Sequence, residues 1–436
     1  MTCRRSLVLA ILAALALGPA RALAQEEPGV AVRGLLDARL VLPSSSVSAL
    51  DAGLGKTRYG ARREGASRDT LFRLAGAAAV IDARANSVLS FRAHVEADLE
   101  PRRSGRTAEG SLRDPGSART TTRLGLVEAF ARLEPRLSSN ARLDLRLGIF
   151  FPPFSLENTG VAWTSPFTLT SSSASSWIGE EVRATGLEAS LVLEGARADL
   201  RLVAAVVGNS DPAGSVLAWR GFVLQDRLTT TEGRLPLPRI TSLAPGGVFA
   251  QQAPSVTPHR EIDGRLGGYA GLVFSHTDIL EMRVFGFANR GLETEFDGAQ
   301  YAWRTEFLSG AAKTRLGRLE ILVQGLHGTS GMGPGDLVSL RFTSGFALVS
   351  LPVGIHRFSL RAERFLVRDE DSLLGADDNG ESGHAFTAAY QVRVLGAHRI
   401  VLEAVRVVSA RPSRETLNLP LERAETQLQL ALRLRL

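Results

Sequence analysis

The run 89–100 constrains this chain more than any other feature. Leu89, Phe91, Ala93, Val95, Ala97 and Leu99 alternate without a break with Ser90, Arg92, His94, Glu96, Asp98 and Glu100. Period-two alternation puts the first set on one face of a β-strand and the second on the other. A helix would scatter those charges around its whole circumference. The same signature returns at 141–147, 198–202, 280–284, 358–362 and 428–436. A soluble sandwich alternates too, but its strands average about five or six residues. Here the alternating stretches often reach about ten, the length a tilted strand needs to cross a bilayer. In a membrane barrel the apolar faces meet lipid, the polar faces line a lumen, and closure gives every backbone group a partner.

The spacing of these stretches adds a rhythm. Strands are expected near 31–42, 68–83, 88–100, 121–134, 139–150, 182–194, 197–208, 263–275, 278–289, 301–314, 318–328, 337–350, 356–368, 384–395, 398–409 and 424–436. Their connectors alternate short and long. The short ones are 84–87, 135–138, 195–196, 276–277, 315–317, 351–355 and 396–397; the long ones include 43–67, 101–120, 151–181, 209–262 and 369–383. Short periplasmic turns opposite long extracellular loops are the layout of outer-membrane barrels. The segment 216–225 (VLAWRGFVLQ) is apolar enough to be one more strand, but counting it breaks the rhythm, so it belongs to the 209–262 loop. The expected fold is all-β: a transmembrane antiparallel up-and-down barrel of about 16 strands, with both ends in the periplasm.

Composition agrees. After residue 24 no run of about 18 apolar residues exists, which excludes ordinary transmembrane helices, although 44% of the chain is hydrophobic. The first 24 residues read as a secretory signal: Arg4 and Arg5, then the apolar stretch 6–18, then Ala22-Leu23-Ala24 as a cleavage site before Gln25. Residues 25–436 are then a single barrel domain in the outer membrane. Cys3, the one cysteine, leaves with the signal, so the mature chain has no disulfide and no thiolate metal site. Loss of Arg4, Arg5 and Arg21 lowers the net charge from +6 to +3, which says little about partners. Lys56 and Lys313 are the only lysines; every other basic residue is arginine.

The stretch 147–191 (LGIFFPPFSLENTGVAWTSPFTLTSSSASSWIGEEVRATGLEASL) resembles porin-like outer-membrane proteins of proteobacteria, grouped with the phosphate-selective porins O and P. The paired prolines at the strand end, Trp163-Thr164-Ser165-Pro166 and Ser176-Trp177-Ile178-Gly179-Glu180-Glu181 carry the likeness. Asp211-Pro212-Ala213-Gly214, Ala218-Trp219-Arg220-Gly221 and Arg260-Glu261-Ile262-Asp263-Gly264 add to it. The resemblance implies a passive pore for small hydrophilic solutes, and related porins often form homotrimers. It does not carry phosphate as the solute, because the lysine-rich loops of the group have no counterpart in a chain with two lysines.

Three sets of residues are candidates for function. The loop 151–181 opens with Phe151-Pro152-Pro153, is rich in Ser and Thr, and carries Glu157, Trp163, Trp177, Glu180 and Glu181. Folded inward it would constrict the lumen; otherwise it packs over the rim. Pore-lining candidates by alternation are Arg92, His94, Glu96, Asp98, Arg142, Asp144, Arg146, Arg197, Asp199, Arg201, Glu281, Arg283, Arg357 and Arg361, with Glu128, Glu363, Arg399 and Glu403 also pointing inward. Arginine rows can guide anions, but acids one pair away, as in Arg142/Asp144 and Asp199/Arg201, favour cross-strand pairing that stiffens the wall. The acidic loop Asp369, Glu370, Asp371, Asp377, Asp378, Asn379 and Glu381 has the oxygen density of a Ca²⁺ site without the spacing of an EF-hand. A solvated surface loop is the better reading of it. No serine stands in a G-x-S-x-G context and no H-E-x-x-H occurs, so the sequence points to no enzyme, no cofactor and no nucleic-acid partner. A barrel whose lumen is plugged by 151–181 and 209–262, acting as a structural or surface-binding protein, is the rival to an open pore.

Overall fold

The computed structural model describes residues 28–436 apart from 67, 98–123, 278 and 374; the expected signal segment and Asp98 lie outside the described residues. Sixteen long strands form one closed antiparallel sheet. In chain order they are β1 (Gly29–Leu42), β2 (Leu71–Arg84), β3 (Leu89–Ala97), β4 (Leu124–Leu133), β5 (Ala141–Phe150), β6 (Ala184–Glu194), β7 (Ala198–Gly208), β8 (Gly267–His276), β9 (Leu280–Ala288) and β10 (Arg304–Leu316). β11 (Leu319–Met332), β12 (Val338–Val353), β13 (His356–Asp369), β14 (Glu381–Arg393), β15 (Arg399–Ala410) and β16 (Glu422–Arg435) complete the series. Each pairs with its neighbour in the chain, and β1 meets β16 from Leu35↔Arg435 to Leu42↔Leu428, which closes the barrel. Closure leaves no strand edge unpaired, the condition for a sheet in a bilayer.

The alternation drives this pairing because a one-residue slip would exchange every inward and outward side chain. Along β12 the inward residues from Val338 to Ser350 are buried, while Arg341, Thr343 and Val349 between them are exposed. Two register shifts interrupt the pattern, at Asp37/Ala38 against β2 and at His94/Val95 against β4. One end of the barrel carries tight turns, several closed by glycine in the left-handed region, such as Gly317 (φ 61°) and Gly354 (φ 60°). The other end carries the long connectors.

The strand count and the short–long rhythm agree with the sequence reading, and 216–225 stays out of the barrel wall: its first half belongs to a helix, α2 (Ser215–Arg220), inside the 209–262 connector. Boundaries differ at three places. The connector at 135–138 is largely strand, since Arg136–Ser138 pairs back onto β5. The turn expected at 351–355 shrinks to Gly354-Ile355, because β12 runs on to Val353 opposite His356. The eighth strand starts at Gly267, not near 263, because the carboxylate of Asp211 holds the backbone N–H of Ile262 and Asp263 in a loop.

The hydrophobic core lies inside the barrel. The loops 151–181 and 209–262 descend into the lumen at the long-loop end and bring α1 (Ser173–Glu181) and α2 with them; every residue of both helices is buried. Phe154 packs against Tyr269, Phe285, Phe287 and Phe307 of the wall at ring distances of 5.3, 5.5, 6.1 and 5.3 Å. Trp177 packs against Phe307 and Phe342 at 5.3 and 5.1 Å.

Candidate functional site: the lumen and its plug

The plug begins where β5 stops. Pro152 and Pro153 have no N–H to give to a ladder, so the chain leaves the wall after Phe151, whose ring stacks on Trp163 at 4.7 Å. It then crosses the lumen, touching wall strands in turn. Arg283 on β9 donates to the carbonyls of Pro153 and Ser155 (3.1 and 2.9 Å). Gln324 on β11 accepts from Leu156 N–H at 3.0 Å. Arg361 on β13 pairs with Glu157 and, at 3.0 Å, with Glu363. Glu403 on β15 accepts from Thr170 N–H at 3.1 Å. Gln391 and Arg399 donate to the Pro166 carbonyl at 3.1 and 3.3 Å.

Helix α1 starts on Ser172, whose hydroxyl accepts from Ser175 N–H at 3.2 Å, an N-cap of the usual kind. The small residues that follow let the helix lie against the wall: Ser173 N–H donates to Glu363 (2.7 Å) and its hydroxyl meets Ser344 (2.8 Å). At the other end Glu181 accepts from Trp177 Nε1 (2.8 Å), Ser215 Oγ (2.7 Å), Gly214 N–H (3.0 Å) and Val216 N–H (3.1 Å). It thereby ties α1 to the start of α2. Burial pushes its carboxyl up to about 6 against those four donors. Glu180 pairs with Arg220 at the far end of α2. Beyond α2, Asp226 sits among Arg39 of β1, Arg58 (2.9 Å) and Arg433 of β16 (3.4 Å). Burial raises its carboxyl, but the guanidiniums of Arg39 and Arg58, the Arg39 hydrogen bond and Arg433 outweigh it and hold the group far below the usual carboxylate range. Lys56, from the 43–70 connector, is fully buried against Glu381 and the Arg220 carbonyl (2.9 Å).

Below the plug, at the short-turn end, a cavity of about 450 Å³ remains, lined by Asp82, Arg92, Arg132, Asp144, Arg146 and Arg201. Its charges are paired across strands. Arg92 meets Asp82 at 2.6 Å, Arg132 meets Asp144 at 2.7 Å, Arg146 meets Glu188 at 2.6 Å, and Arg201 bridges Asp144 (3.0 Å) and Glu188 (3.2 Å). Arg142 pairs with Glu134 and Glu194, both at 2.9 Å, so the expected Arg142/Asp144 pair is not made. Nor is Asp199/Arg201: Asp199 accepts from Gly195 N–H at the barrel rim. Arg197 lies exposed in the turn itself, not on the wall. Glu281 pairs with Arg283 (2.6 Å) and Arg357 with Glu320 (3.3 Å). His94 is buried, with a carboxylate oxygen of Glu128 3.8 Å away. On the β10–β16 side Lys313 and Arg357 stand over the Phe167 ring of the plug at 5.8 and 5.4 Å.

The acidic residues 369–378 do not converge on a point. Asp369 accepts from Asp371 and Asn379 N–H, Asp371 from Ser339 and Leu373, Asp377 from Thr241 and Ser242, and Asp378 from Gly380. Among the described residues the carboxylates that do gather are Asp211, Glu261 and Asp263. Sequence reasoning passed over Asp37, Arg39, Glu188, Asp226 and Arg433. Asp37, Arg39 and Arg433 occupy alternating positions of the first and last strands and were open to the same argument; Asp226 stands in irregular chain with no pattern to mark it.

No family model matches the sequence, and no curated protein matches it. Solved structures do match in shape. The outer-membrane channel DcaP of Acinetobacter baumannii has a TM-score of 0.52 at 8% identity, covering 94% of this chain and 97% of that one. OmpT, an outer-membrane protein of Vibrio cholerae, gives 0.51 at 9% identity, covering 96% and 100%. An anion-selective porin of Comamonas acidovorans gives 0.50 at 11% identity, covering 94% and 100%. The chain has a porin-like barrel fold.

Proposed function

We propose that the protein is an integral outer-membrane channel for passive diffusion of small hydrophilic solutes, with its outer half closed at rest by the 151–181 and 209–262 plug. The observation that carries this reading is how the plug is held. Glu157, Asp226, Glu180 and Lys56 are fixed by ion pairs, and the wall meets the plug through Arg283, Arg361, Glu363 and Glu403. Beside the aromatic packing of Phe154 and Trp177, these buried ion pairs recover hydration when water enters, so they hold the closed state less firmly than apolar contacts of the same size would. Beneath the plug the charged vestibule is already wet in character. Around Phe167 the inward cations Lys313, Arg357 and Arg399, with Arg283 beside them, outnumber the acids Glu281 and Glu320, which supports a mild preference for anions. The finer likeness to the phosphate-selective group rests on the phrases at 147–191. A homotrimer fits the outer face of β2–β4, where the small residues Ala77, Ala79, Ala93, Ala129 and Ala131 lie between exposed Ile81 and Phe91. Export by a cleaved signal at 1–24 belongs to the same reading.

The rival, a barrel that never conducts, is favoured by one observation: all fifteen residues of α1 and α2 are buried. Planar-bilayer recording of the purified protein separates the two. Stepwise currents are expected, with reversal potentials that move towards cations in Arg142→Ala, Arg146→Ala and most of all Arg399→Ala. Persistent silence, in the wild type and in variants that weaken the plug, would overturn the channel.

A further inference from the structure

The outer face of the barrel, which on β5–β9 is apolar along nearly its whole height, changes character on β10–β15. Read from the short-turn end, the outward residues of β13 are His356, Phe358, Leu360 and Ala362, then Arg364; those of β14 are Val392, Tyr390, Ala388 and Phe386, then His384. β11 gives Leu319, Ile321, Val323 and Gly325, then His327, and β15 gives Ile400, Leu402 and Ala404, then Arg406. Eight residues of a strand tilted by about 40° rise about 20 Å. His327, Arg364 and His384 therefore arrive together near the outer edge of the apolar band, about 25 Å tall in such barrels, with Arg406 a pair lower, opposite Phe386. Among the outward residues of β10–β15 the one acid is Glu306.

Beside Arg364 the wall is hollowed. Gly310, Gly325 and Gly345 are direct cross-strand partners on β10, β11 and β12, and Arg364 continues their row on β13. With no side chains on three adjacent strands, a furrow of about 630 Å³ runs from Val284 to Arg364, with Leu308 and Leu366 on its lip. A Cβ on Gly310 would meet nothing within 4 Å. Arg364 is exposed and has no hydrogen bond or ion pair among the described residues. His327 and Thr343 are already occupied with each other at 2.7 Å. A lone guanidinium on a lipid-facing wall is unfavourable unless a partner reaches it.

We propose that this furrow binds a phosphorylated lipid of the outer leaflet. The phosphate sits on Arg364, with His384 opposite it in the next strand, and one acyl chain lies along Gly345, Gly325 and Gly310. Guanidinium takes a phosphate with two parallel hydrogen bonds, and the apolar furrow takes a chain that a polar solute would leave empty. This site rests on the barrel standing in a membrane and is independent of whether the lumen conducts.

The test uses the folded full-length protein in detergent micelles, with diphosphorylated lipid A as probe and its dephosphorylated form and inorganic phosphate as comparisons, read by native mass spectrometry and equilibrium binding. Wild type is expected to retain the phosphorylated lipid, to bind the dephosphorylated one about tenfold or more weakly, and to ignore free phosphate. Arg364→Gln should lose about tenfold in affinity, and Gly325→Leu, which fills the furrow without touching charge, should lose the lipid comparably. Equal binding by wild type and both variants, or equal binding of the two lipids, overturns the proposal. So does dissociation of an oligomer by Gly325→Leu with lipid affinity unchanged, which would make a second copy of the chain the occupant.

Discussion

Along single wall strands the inward face changes from charged to aromatic, and what it meets changes with it. On β9 the inward residues nearest the short turn are Glu281 and Arg283, and further along the same strand they are Phe285 and Phe287. On β10 the order runs from Lys313 to Phe307. At their charged ends these strands meet the polar edge of the plug, Arg283 at the Pro153 and Ser155 carbonyls and Lys313 over the Phe167 ring. A vestibule of about 450 Å³ stays open across the lumen, beside Asp82, Arg132 and Arg201. At their aromatic ends loop residues such as Phe154 and Trp177 fill the space. An inward aromatic in a barrel strand thus marks where a loop comes to rest, since an apolar ring facing an aqueous lumen would otherwise stay wet. What keeps the boundary in place is a ring of ionic ties between plug and wall.

The largest way to break this contrast is at Asp226. Asp226→Asn removes the acid that Arg58 meets at 2.9 Å and one of the two acids of Arg39 and Arg433, which keep Asp37 at 2.7 Å, and loss of one partner of a buried ionic set costs about 3–5 kcal/mol. Amide hydrogen exchange across α1 and α2 should speed up by two or more orders of magnitude while the wall strands stay protected. The sign with pH follows. A carboxyl held low in the folded protein stabilises it above the unfolded pKa of about 3.9 and loses that contribution as pH falls below it. Wild-type plug exchange should therefore rise below about pH 4, and the part of that rise due to Asp226 should vanish in Asp226→Asn.

A second contrast lies within one strand. Phe307→Ala removes the ring that touches Phe154, Trp177 and Phe287, at about 3 kcal/mol for a buried Phe. Lys313→Ala, six positions along the same inward face, removes a partly exposed cation and should change stability by less than about 0.5 kcal/mol. Denaturation of the two variants in detergent checks the ratio. Similar losses would mean that the two ends of this inward face share one environment.

The barrel was legible in the sequence because alternation and connector length are local signals. The run 89–100 and the terminal stretch 428–436 each announce a strand, and α2 could be kept out of the wall by rhythm alone. Pairing across the lumen was less legible. Arg142 and Asp144 are neighbours on one face, yet each takes partners from adjacent strands, Glu134 and Glu194 for the first and Arg132 and Arg201 for the second. Which charge meets which depends on register, and no single strand states its register. The plug was legible only as a long loop with paired prolines. Its inward course is written on the wall, in Phe285, Phe287, Phe307 and Phe342, residues that break the apolar-out, polar-in rule at the long-loop end.

The smallest effect concerns how that inward course is started. Ser172 caps α1 by accepting from Ser175 N–H, and its neighbour Ser173 hands its own N–H to Glu363 of the wall. The first turn of the helix is therefore fixed from two sides, one local and one across the lumen. Ser172→Ala removes the local tie and leaves a buried N–H without its acceptor, at about 1 kcal/mol. Because Glu363 still holds Ser173, the helix should persist, and exchange of the 173–176 amides should rise several-fold with no change at 177–181. If the whole helix exchanged faster together, the cap would be the anchor of the plug and the wall contact secondary. If nothing changed, Glu363 alone would set where the plug enters. Either result locates the first contact between a loop rich in serine and a wall that has left a carboxylate inside the barrel to receive it.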